Sequence, residues 1–492
     1  MRSVWVFGDQ LNRRIGALAG ADPADTRVLM VESEQLLAGG RHLQRLHLVV
    51  TAMRRFADEL RVAGFEVDLR RAATLADGVR DHIDEHDPDD VVATEPNSRA
   101  ARALCRRLDV SQVRSNQFLC HHGDFAEWAA DQSTLRMERF YRWRRSELGY
   151  LMDGDEPVGG TWNHDADNRE PPPDDPSVFA EPQTSDLDEL DAEVLGSLPE
   201  THGESPVGIW ATSRRSALAR LRHFLDHGLE RFGPYEDAMT QRSWGLAHSV
   251  LSPYLNLGLL LPGEVCDRVE ERFRDGGVPI NSAEGFIRQV IGWREYVWGL
   301  YWLWPDHLES NVLDHRRELP PMFTGEADTD MRCMADTLDG LRERAWVHHI
   351  PRLMLLSNFS NLYGIHPRWV MDWMSDQYID GAEWVMVPNV MGMGLWADGG
   401  RMATKPYVSG GAYVNRMSDY CGDCHYDHKA RTGDDACPFT TLYWDFLARH
   451  EERLGNNHRL SRPLANMRRL SDLDQVRDRA DSVIRGIRDG RV

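Results

Sequence analysis

This chain has very little lysine and carries a strongly negative net charge. Of its 492 residues, 57 are Lys or Arg and 78 are Asp or Glu, which gives a formal net charge of −21. The only lysines are Lys405 and Lys429. This balance excludes a generally basic nucleic-acid binder, whose affinity would come from a positive surface. A local cleft lined by arginine remains compatible with it.

Long apolar runs and a disulfide framework are also missing. No run of about eighteen apolar residues occurs, so we expect no transmembrane helix and no membrane partner. The N-terminus turns polar too early for a signal peptide. Of seven cysteines, Cys105, Cys120 and Cys266 stand alone, unlike the regular spacing of secreted domains. We therefore expect a cytoplasmic, monomeric protein.

The N-terminal region lacks a glycine-rich dinucleotide motif but alternates strands and helices. Apolar runs at 4–7, 28–31, 67–69 and 91–94 predict buried strands, and helical spacing of apolar residues predicts a helix over 42–62. This alternation predicts a doubly wound parallel sheet within an α/β domain over 1–135. The first strand leads into Gly8-Asp9-Gln10, not G-x-G-x-x-G. A turn with a helix cap is the structural alternative for Asp9 and Gln10.

The rest of the chain changes composition twice. Residues 153–205 are rich in Pro, Asp, Glu and Gly, and the run 170–176 is incompatible with a helix. We predict an interdomain linker over 136–207 and an all-α domain over 208–492. Within that domain, the segment 286–298 mixes aromatic residues with Arg and Glu in one helical pattern. This mixture favours contact with a large, polar-edged aromatic ligand over a plain core helix.

Four cysteines of the C-terminal half have metal-ligand spacing. Cys421 and Cys424 form a C-x-x-C pair, Cys437 follows after a loop, and Cys333 would complete the set from a separate element. Four thiolates suit either Zn²⁺ or a [4Fe–4S] cluster by spacing alone, and a buried thiol pair is the structural alternative. The Cys-Pro step at Cys437 leans toward the cluster.

Taken together, these motifs resemble the photolyase/cryptochrome flavoproteins. More narrowly, the chain resembles their iron–sulfur branch, the prokaryotic (6-4) photolyases and related bacterial cryptochromes, over essentially its whole length. The stretches that carry the resemblance are 7–11, 249–255, 284–296, 346–354, 400–407 and 415–421.

The resemblance implies three cofactors. The four cysteines would hold a [4Fe–4S] cluster, and 6,7-dimethyl-8-ribityllumazine would be an antenna near Gly8, Asp9 and Gln10, although residues 32–44 diverge from the antenna loop of the branch. The helical domain would bind FAD. The FAD residues implied are Tyr235, His248, Ser249, Leu251, Ser252, Gln289, Trp293, Arg294, Arg352, Asp380 and Asn389.

Residue chemistry agrees with part of this assignment. Ser249 and Ser252, at the predicted start of a helix, offer hydroxyl and N–H groups to a pyrophosphate, or they cap the helix. A buried Arg352 needs an anionic partner, which Asp380 or a reduced flavin would supply.

Two adjacent histidines are candidates for acid–base chemistry. His348 and His349 are adjacent, so their side chains point about 100° apart on a helix and cannot face one site equally. The resemblance implies His349 as proton donor to a (6-4) lesion and His348 as its partner or as a neighbour of the flavin, since imidazole exchanges protons near neutrality. A structural or metal-supporting pair is the alternative. Tyr407 and Tyr413 would line the lesion pocket.

Two positions depart from the family pattern. Trp373 matches the tryptophan nearest the flavin in the electron-transfer chain, but Phe323 stands where relatives carry a further Trp, and phenylalanine is much harder to oxidise. Met386 replaces a polar Asn, and a thioether cannot donate a hydrogen bond; Asn389 is the candidate replacement.

The function that the resemblance implies is blue-light-driven repair of (6-4) photoproducts in UV-damaged DNA, with the lesion flipped from the duplex. A blue-light photoreceptor with the same cofactors is the alternative, which Phe323 and Met386 favour. A structural zinc protein is a third interpretation, which the aromatic helix at 286–298 disfavours.

Overall fold

The N-terminal part is built on a five-stranded parallel sheet. The computed structural model describes residues 1–492, and the sheet has the order β3-β2-β1-β4-β5. Its strands are β1 (Arg2–Trp5), β2 (Thr26–Ser33), β3 (Glu66–Ala72), β4 (Val91–Thr94) and β5 (Ser111–Val113). The predicted doubly wound sheet is confirmed. Strand order reverses between β1 and β4, which is where such sheets form a ligand crevice.

Helices flank this sheet, and α2 links it to the rest of the molecule. The helices of this part are α1 (Glu34–Leu37), α2 (Leu43–Val62), α3 (Leu75–His86), α4 (Arg99–Arg107), α5 (His122–Ala130) and α6 (Met137–Leu148). Helix α2 matches the predicted span. Its N-terminus is capped by the His42 side chain, which accepts a hydrogen bond from the Gln44 N–H, and its apolar face is buried at Val50, Met53 and Phe56.

The predicted linker over 136–207 contains regular structure. It holds α6, a short hairpin of β6 (Met152–Asp153) and β7 (Glu156–Pro157), and α7 (Glu189–Ser197). Helix α7 packs against α2, where the buried Asp191 pairs with Arg55 at 3.0 Å and with His47 at 3.0 Å. The proline-rich run at 170–176 is free of helix, as expected. The domain boundaries themselves stay a prediction.

The C-terminal part is helical. No helix combines the length and apolar character needed to cross a membrane. The helices are α8 (Arg214–His227), α9 (Leu229–Tyr235), α10 (Ser252–Asn256), α11 (Pro262–Arg274), α12 (Ile280–Ile287), α13 (Glu295–Leu303), α14 (Pro321–Thr324), α15 (Arg332–Arg344), α16 (Asn358–Tyr363), α17 (Pro367–Gln377), α18 (Glu383–Met386), α19 (Gly411–Met417), α20 (Pro438–Arg449), α21 (Glu451–Leu454), α22 (Ser461–Arg468) and α23 (Leu473–Arg488).

Three π-helical segments interrupt these helices. They span Arg288–Arg294, Pro351–Ser357 and Val387–Gly394, and the first joins α12 to α13 without a break. A π turn inserts one extra residue and re-aims the side chains around it, and such turns are frequent at functional sites. Each of the three carries at least one residue predicted to contact FAD.

Candidate functional site

A buried ion pair anchors the site. Arg352 donates to both carboxylate oxygens of Asp380, at 2.9 and 3.2 Å, and the Ser252 hydroxyl donates to the same carboxylate at 2.6 Å. Asp380 is 6% exposed. The Arg352 guanidinium also lies 4.0 Å from the ring centre of Tyr378. Three of the residues predicted from separate stretches of sequence therefore meet in one charge-neutral group.

The loop before α10 has an unusual backbone. Leu246 and Val250 both have positive φ, at 44° and 56°, a region that side chains other than glycine rarely adopt and that is strained for a β-branched residue. Ser249 is half-buried, Leu251 is buried, and Ser252 begins the helix. Strain of this kind concentrates where a loop is held in shape for a ligand.

Three histidines form the next layer. The rings of His248 and His348 are stacked with centroids 4.3 Å apart, and His349 meets His248 edge-on at 5.6 Å. Burial lowers the pKa of both His248 and His348 well below the usual range, so both rings are neutral near pH 7. The two adjacent histidines diverge as predicted: His348 is buried, whereas the side chain of His349 is 48% exposed.

His349 faces an acid that sequence analysis did not identify. Its Nε2 lies 3.4 Å from the Asp237 carboxylate. The signal in the sequence was the acidic pair Glu236-Asp237, which directly follows the predicted Tyr235. Only the fold brings that pair to the histidines, because the two stretches lie more than a hundred positions apart.

Two tyrosines, Tyr407 and Tyr413, lie near the Asp237 carboxylate, whose charge acts on both hydroxyls. Burial raises the pKa of Tyr413 to about 12, and the nearby charge of Asp237 adds to the effect. Tyr407 is 37% exposed. The Arg416 guanidinium lies 5.4 Å from the Tyr413 ring centre. The surroundings of Asp237 therefore combine two aromatic side chains with the exposed imidazole of His349 and the Arg416 cation.

A second acid, Glu236, directly precedes Asp237 in the chain. Glu236 is 4% exposed, and Gln289 donates to it at 3.4 Å. Burial raises the pKa of Glu236 to about 7, although Arg288, 3.6 Å away, acts in the opposite direction. Tyr235, one residue earlier, packs edge-on against Phe179. Gln289 thus contacts the acid next to Asp237, and the roles of Gln289 and Tyr235 toward FAD stay predictions.

The remaining predicted FAD residues have other contacts. Arg294 bonds to Glu295 at 2.6 Å and lies over the Phe118 ring, and Trp293 meets Tyr296 edge-on. The Asn389 amide donates to the Val385 carbonyl of its own helix at 2.9 Å. The structure brings none of these three side chains into contact with the Arg352–Asp380 pair.

Trp373 is buried against phenylalanine. Its indole N–H donates to the Phe323 carbonyl at 2.8 Å, and the two ring centroids are 4.7 Å apart. Phe323 therefore does occupy the position next to Trp373, as the sequence comparison implied. Met386 is also buried, at 3% exposure.

The four cysteines converge. Cys333 on α15 joins Cys421, Cys424 and Cys437 around one small, mainly apolar pocket, and all four are free thiols. Four thiols around one apolar pocket, the cysteine cage, suit either a zinc ion or a [4Fe–4S] cluster.

A large cleft opens at the carboxyl edge of the sheet. Its volume is about 770 Å³, and it is lined by the ends of β1, β2 and β4 and by residues 379–384 of the helical part. Gly8 and Asp9 line it, whereas Gln10 turns inward and donates to the Glu95 carbonyl. Burial raises the pKa of Asp9 to about 6, against the opposing effect of its hydrogen bond from Asn97.

Buried polar atoms without hydrogen-bond partners indicate whether the site suits a flavin. The Nε2 of His248 and the hydroxyl of Tyr378 are buried without a hydrogen-bond partner. Buried polar groups are nearly always bonded, and Tyr378 lies against Arg352 of the anchoring ion pair. A ligand with hydrogen-bonding edges, such as an isoalloxazine or ribityl chain, suits these atoms.

Known proteins resemble this chain along its length. A family profile described as "Deoxyribodipyrimidine photo-lyase-related protein" matches residues 4–208. A (6-4) photolyase of Agrobacterium fabrum is 42% identical over 494 aligned residues, which cover 95% of this chain and 96% of that protein.

Solved structures share the fold. A bacterial class III photolyase from Agrobacterium tumefaciens superposes with a TM-score of 0.61 at 17% identity and covers 99% of this chain and 98% of its own. A Synechocystis cryptochrome superposes with a TM-score of 0.56 at 14% identity, covering 80% and 82%.

Proposed function

The chain belongs to the photolyase/cryptochrome family, and on that premise we propose that it is a (6-4) DNA photolyase, as its full-length Agrobacterium relative is named. The observation that carries the proposal is the position of His349. It is the exposed member of the histidine cluster, and it faces Asp237, whose charge also acts on Tyr407 and Tyr413. A proton donor for a substrate must occupy such a place.

Members of this family are flavoproteins, and FAD is accordingly the cofactor. Arg352, Asp380 and Ser252 would hold it, with His248 and Tyr378 supplying further hydrogen bonds. When bound and reduced, FAD supplies an electron to the lesion on excitation by blue light. Arg352 is placed to balance negative charge, and the Asp380 carboxylate keeps that guanidinium oriented.

The protein side of the repair step is a proton transfer. An electron alone gives a lesion radical anion, which returns the electron unless a proton traps it. His349 delivers that proton, and the Asp237 carboxylate attracts the protonated imidazole and orients it. His348 stays neutral and buried, so it supports the flavin side and leaves proton delivery to its neighbour. General acid catalysis is worth about 10²–10⁴-fold.

DNA recognition fits local contacts and not the surface as a whole. A flipped pyrimidine pair needs aromatic faces, which Tyr407 and Tyr413 offer. Arg416 is exposed beside Tyr413 and is available for a phosphate contact. The net charge of −21 leaves binding to such local contacts.

We also propose that the cysteine cage holds a [4Fe–4S] cluster. Support comes from the four converging thiols, from the Cys-Pro step at Cys437 and from the apolar residues around them. The cluster would cross-link α15 to the segment that leads into α20.

A lumazine antenna is proposed for the cleft at the sheet edge. The cleft lies at the strand-order reversal, where α/β sheets bind ligands. It has room for a bicyclic chromophore, and the Asp9 carboxylate and the unpartnered Oδ1 of Asn97 offer acceptors to polar ring edges. The same cleft extends to Asp380, so a chromophore there would lie close to the flavin site.

A blue-light photoreceptor is the second candidate. Phe323 against Trp373 is the observation that favours it, because an altered electron-transfer chain changes photochemistry without removing the cofactor sites.

The test of repair is direct. An oligonucleotide with a single (6-4) photoproduct is mixed with holoprotein carrying reduced FAD, and the intact dinucleotide is measured after blue light and after darkness. We expect light-dependent restoration. Failure to repair by protein with full FAD and iron content would contradict the photolyase assignment and favour the photoreceptor.

A further inference from the structure

Two tryptophans on α17 have opposite exposure. Trp373 is 8% exposed, whereas Trp369, four positions earlier, is 44% exposed. Residues i and i+4 lie on one face of a helix with Cβ atoms about 5–6 Å apart. Exposed tryptophan is unusual, and this one lies a single helical turn from Trp373, the buried indole to which the family resemblance gives a role in electron transfer.

The opposite side of Trp373 leads only to phenylalanine. Phe323 lies 4.7 Å from it, and Phe359 stacks on Phe323 at 5.8 Å between centroids. A phenyl ring is much harder to oxidise than an indole, so neither ring can take over a positive charge from oxidised Trp373.

The first oxidisable residue on that side is Tyr363. It stacks on Phe359 at 5.8 Å, two rings beyond Trp373. The Arg317 guanidinium lies 5.3 Å from its ring centre and opposes a positive charge there. Tyr363 is only 3% exposed, and burial raises the pKa of its hydroxyl, so proton loss to water is hindered as well.

We propose that Trp369 is the terminal electron donor of this protein and that it replaces the route closed by Phe323. The inference rests on the proposed function, since it takes photoexcited oxidised FAD as the oxidant of Trp373. Trp369 gives one electron to the Trp373 radical cation, which restores neutral Trp373. The Trp369 radical cation then releases its indole N–H proton to water, and a thiol reductant returns a hydrogen atom.

Solvent exposure makes the step productive. Deprotonation of Trp369 by water removes the positive charge, and electron return from the flavin then requires a proton as well. Exposure also admits the thiol. A relay ending at buried Tyr363 would have neither advantage.

The test uses flash photolysis of holoprotein carrying oxidised FAD, with dithiothreitol as reductant. Transient absorption identifies the radical as tryptophanyl or tyrosyl, and steady illumination gives the yield of reduced flavin. The variants are W369F, W369Y, Y363F and W373F, each checked for FAD and iron content. We expect a long-lived tryptophanyl radical in wild type and in Y363F, its loss in W369F, and a long-lived tyrosyl radical in W369Y.

The outcomes distinguish the assignment of Trp369 from the proposed function on which it rests. A wild-type radical and yield in W369F, or their loss in Y363F, would overturn the assignment of Trp369 while leaving the photolyase proposal intact. Normal photoreduction in W373F, or a wild-type chain that binds no FAD, would overturn the electron-transfer role of Trp373 and this inference with it.

Discussion

The Nε2 of His349 lies 3.4 Å from the carboxylate of Asp237. This pairing joins a residue identified from sequence to one that was not, and it gives the proton donor a fixed direction. A general acid must first lie within hydrogen-bond reach of the atom that it protonates, so the orientation of His349 matters.

Removing the charge of Asp237 should weaken repair, although the proton donor His349 stays in place. We expect Asp237→Asn to lower the yield of repaired lesion per absorbed photon, and Asp237→Glu to keep more of it. The reason is that the carboxylate attracts the protonated imidazole and holds its direction. The measurement is single-flash repair of a one-lesion oligonucleotide. Identical yields for wild type and Asp237→Asn would remove Asp237 from the account.

Breaking the buried ion pair should destabilise the FAD site. Asp380→Ala leaves Arg352 buried without its partner, which costs about 3–5 kcal/mol. We expect loss of bound FAD and a lower free energy of unfolding. The matched control is Asp372→Ala, which breaks the exposed Arg368–Asp372 pair at 2.9 Å and should cost no more than about 1 kcal/mol. Equal effects of the two variants would contradict the anchoring role of Asp380.

Glu236 should make stability fall as pH rises. Burial raises its pKa from 4.5 to about 7 in the folded protein. The folded state therefore binds the proton more tightly than the unfolded chain, so the contribution is fully present below pH 4.5 and is lost as pH rises to 7. The difference amounts to about 3 kcal/mol.

The measurement is denaturant unfolding at pH 5 and pH 8 for wild type and Glu236→Gln. Gln cannot ionise. As pH rises from 5 to 8, the stability of Glu236→Gln relative to wild type should therefore increase by about 3 kcal/mol. A constant difference between the two proteins at both pH values would show that Glu236 does not titrate in this range.

Cys333 should be needed for iron. Cys333→Ala removes one of four cluster thiolates, and we expect purified protein to lose iron and sulfide and to unfold more easily, since binding energy of such a centre is folding energy. The control is Cys266→Ala, which alters a buried thiol outside the cage. Stoichiometric zinc in wild type, or unchanged iron in Cys333→Ala, would contradict the cluster assignment.

The spacing of apolar residues along the chain predicted much of the fold, because that spacing depends on local helix and strand geometry. The span of α2 follows from its apolar spacing, and strand β4 was predicted at its observed bounds. Strand β5 was missed because Ser111–Val113 is short and largely exposed, without a buried apolar run. Helix α7 was missed because its proline-rich surroundings dominated the composition.

The site was predictable where one residue type required another. A buried Arg352 required an anion, and Asp380 is that partner. The approach of Asp237 to His349 was not predictable, because it depends on how two segments more than a hundred positions apart in sequence come together in the fold. Asn389 shows the reverse case: its amide bonds within its own helix, a local option that the resemblance does not reveal.

The central claim is that His349 delivers the proton that completes repair. The most direct measurement compares repaired lesion per flash for wild type, His349→Ala and the exposed control His227→Ala, on one oligonucleotide and at equal content of reduced FAD and iron. The account predicts that His349→Ala loses about 10²–10⁴-fold in repair while His227→Ala matches wild type. Equal yields from wild type and His349→Ala would contradict it.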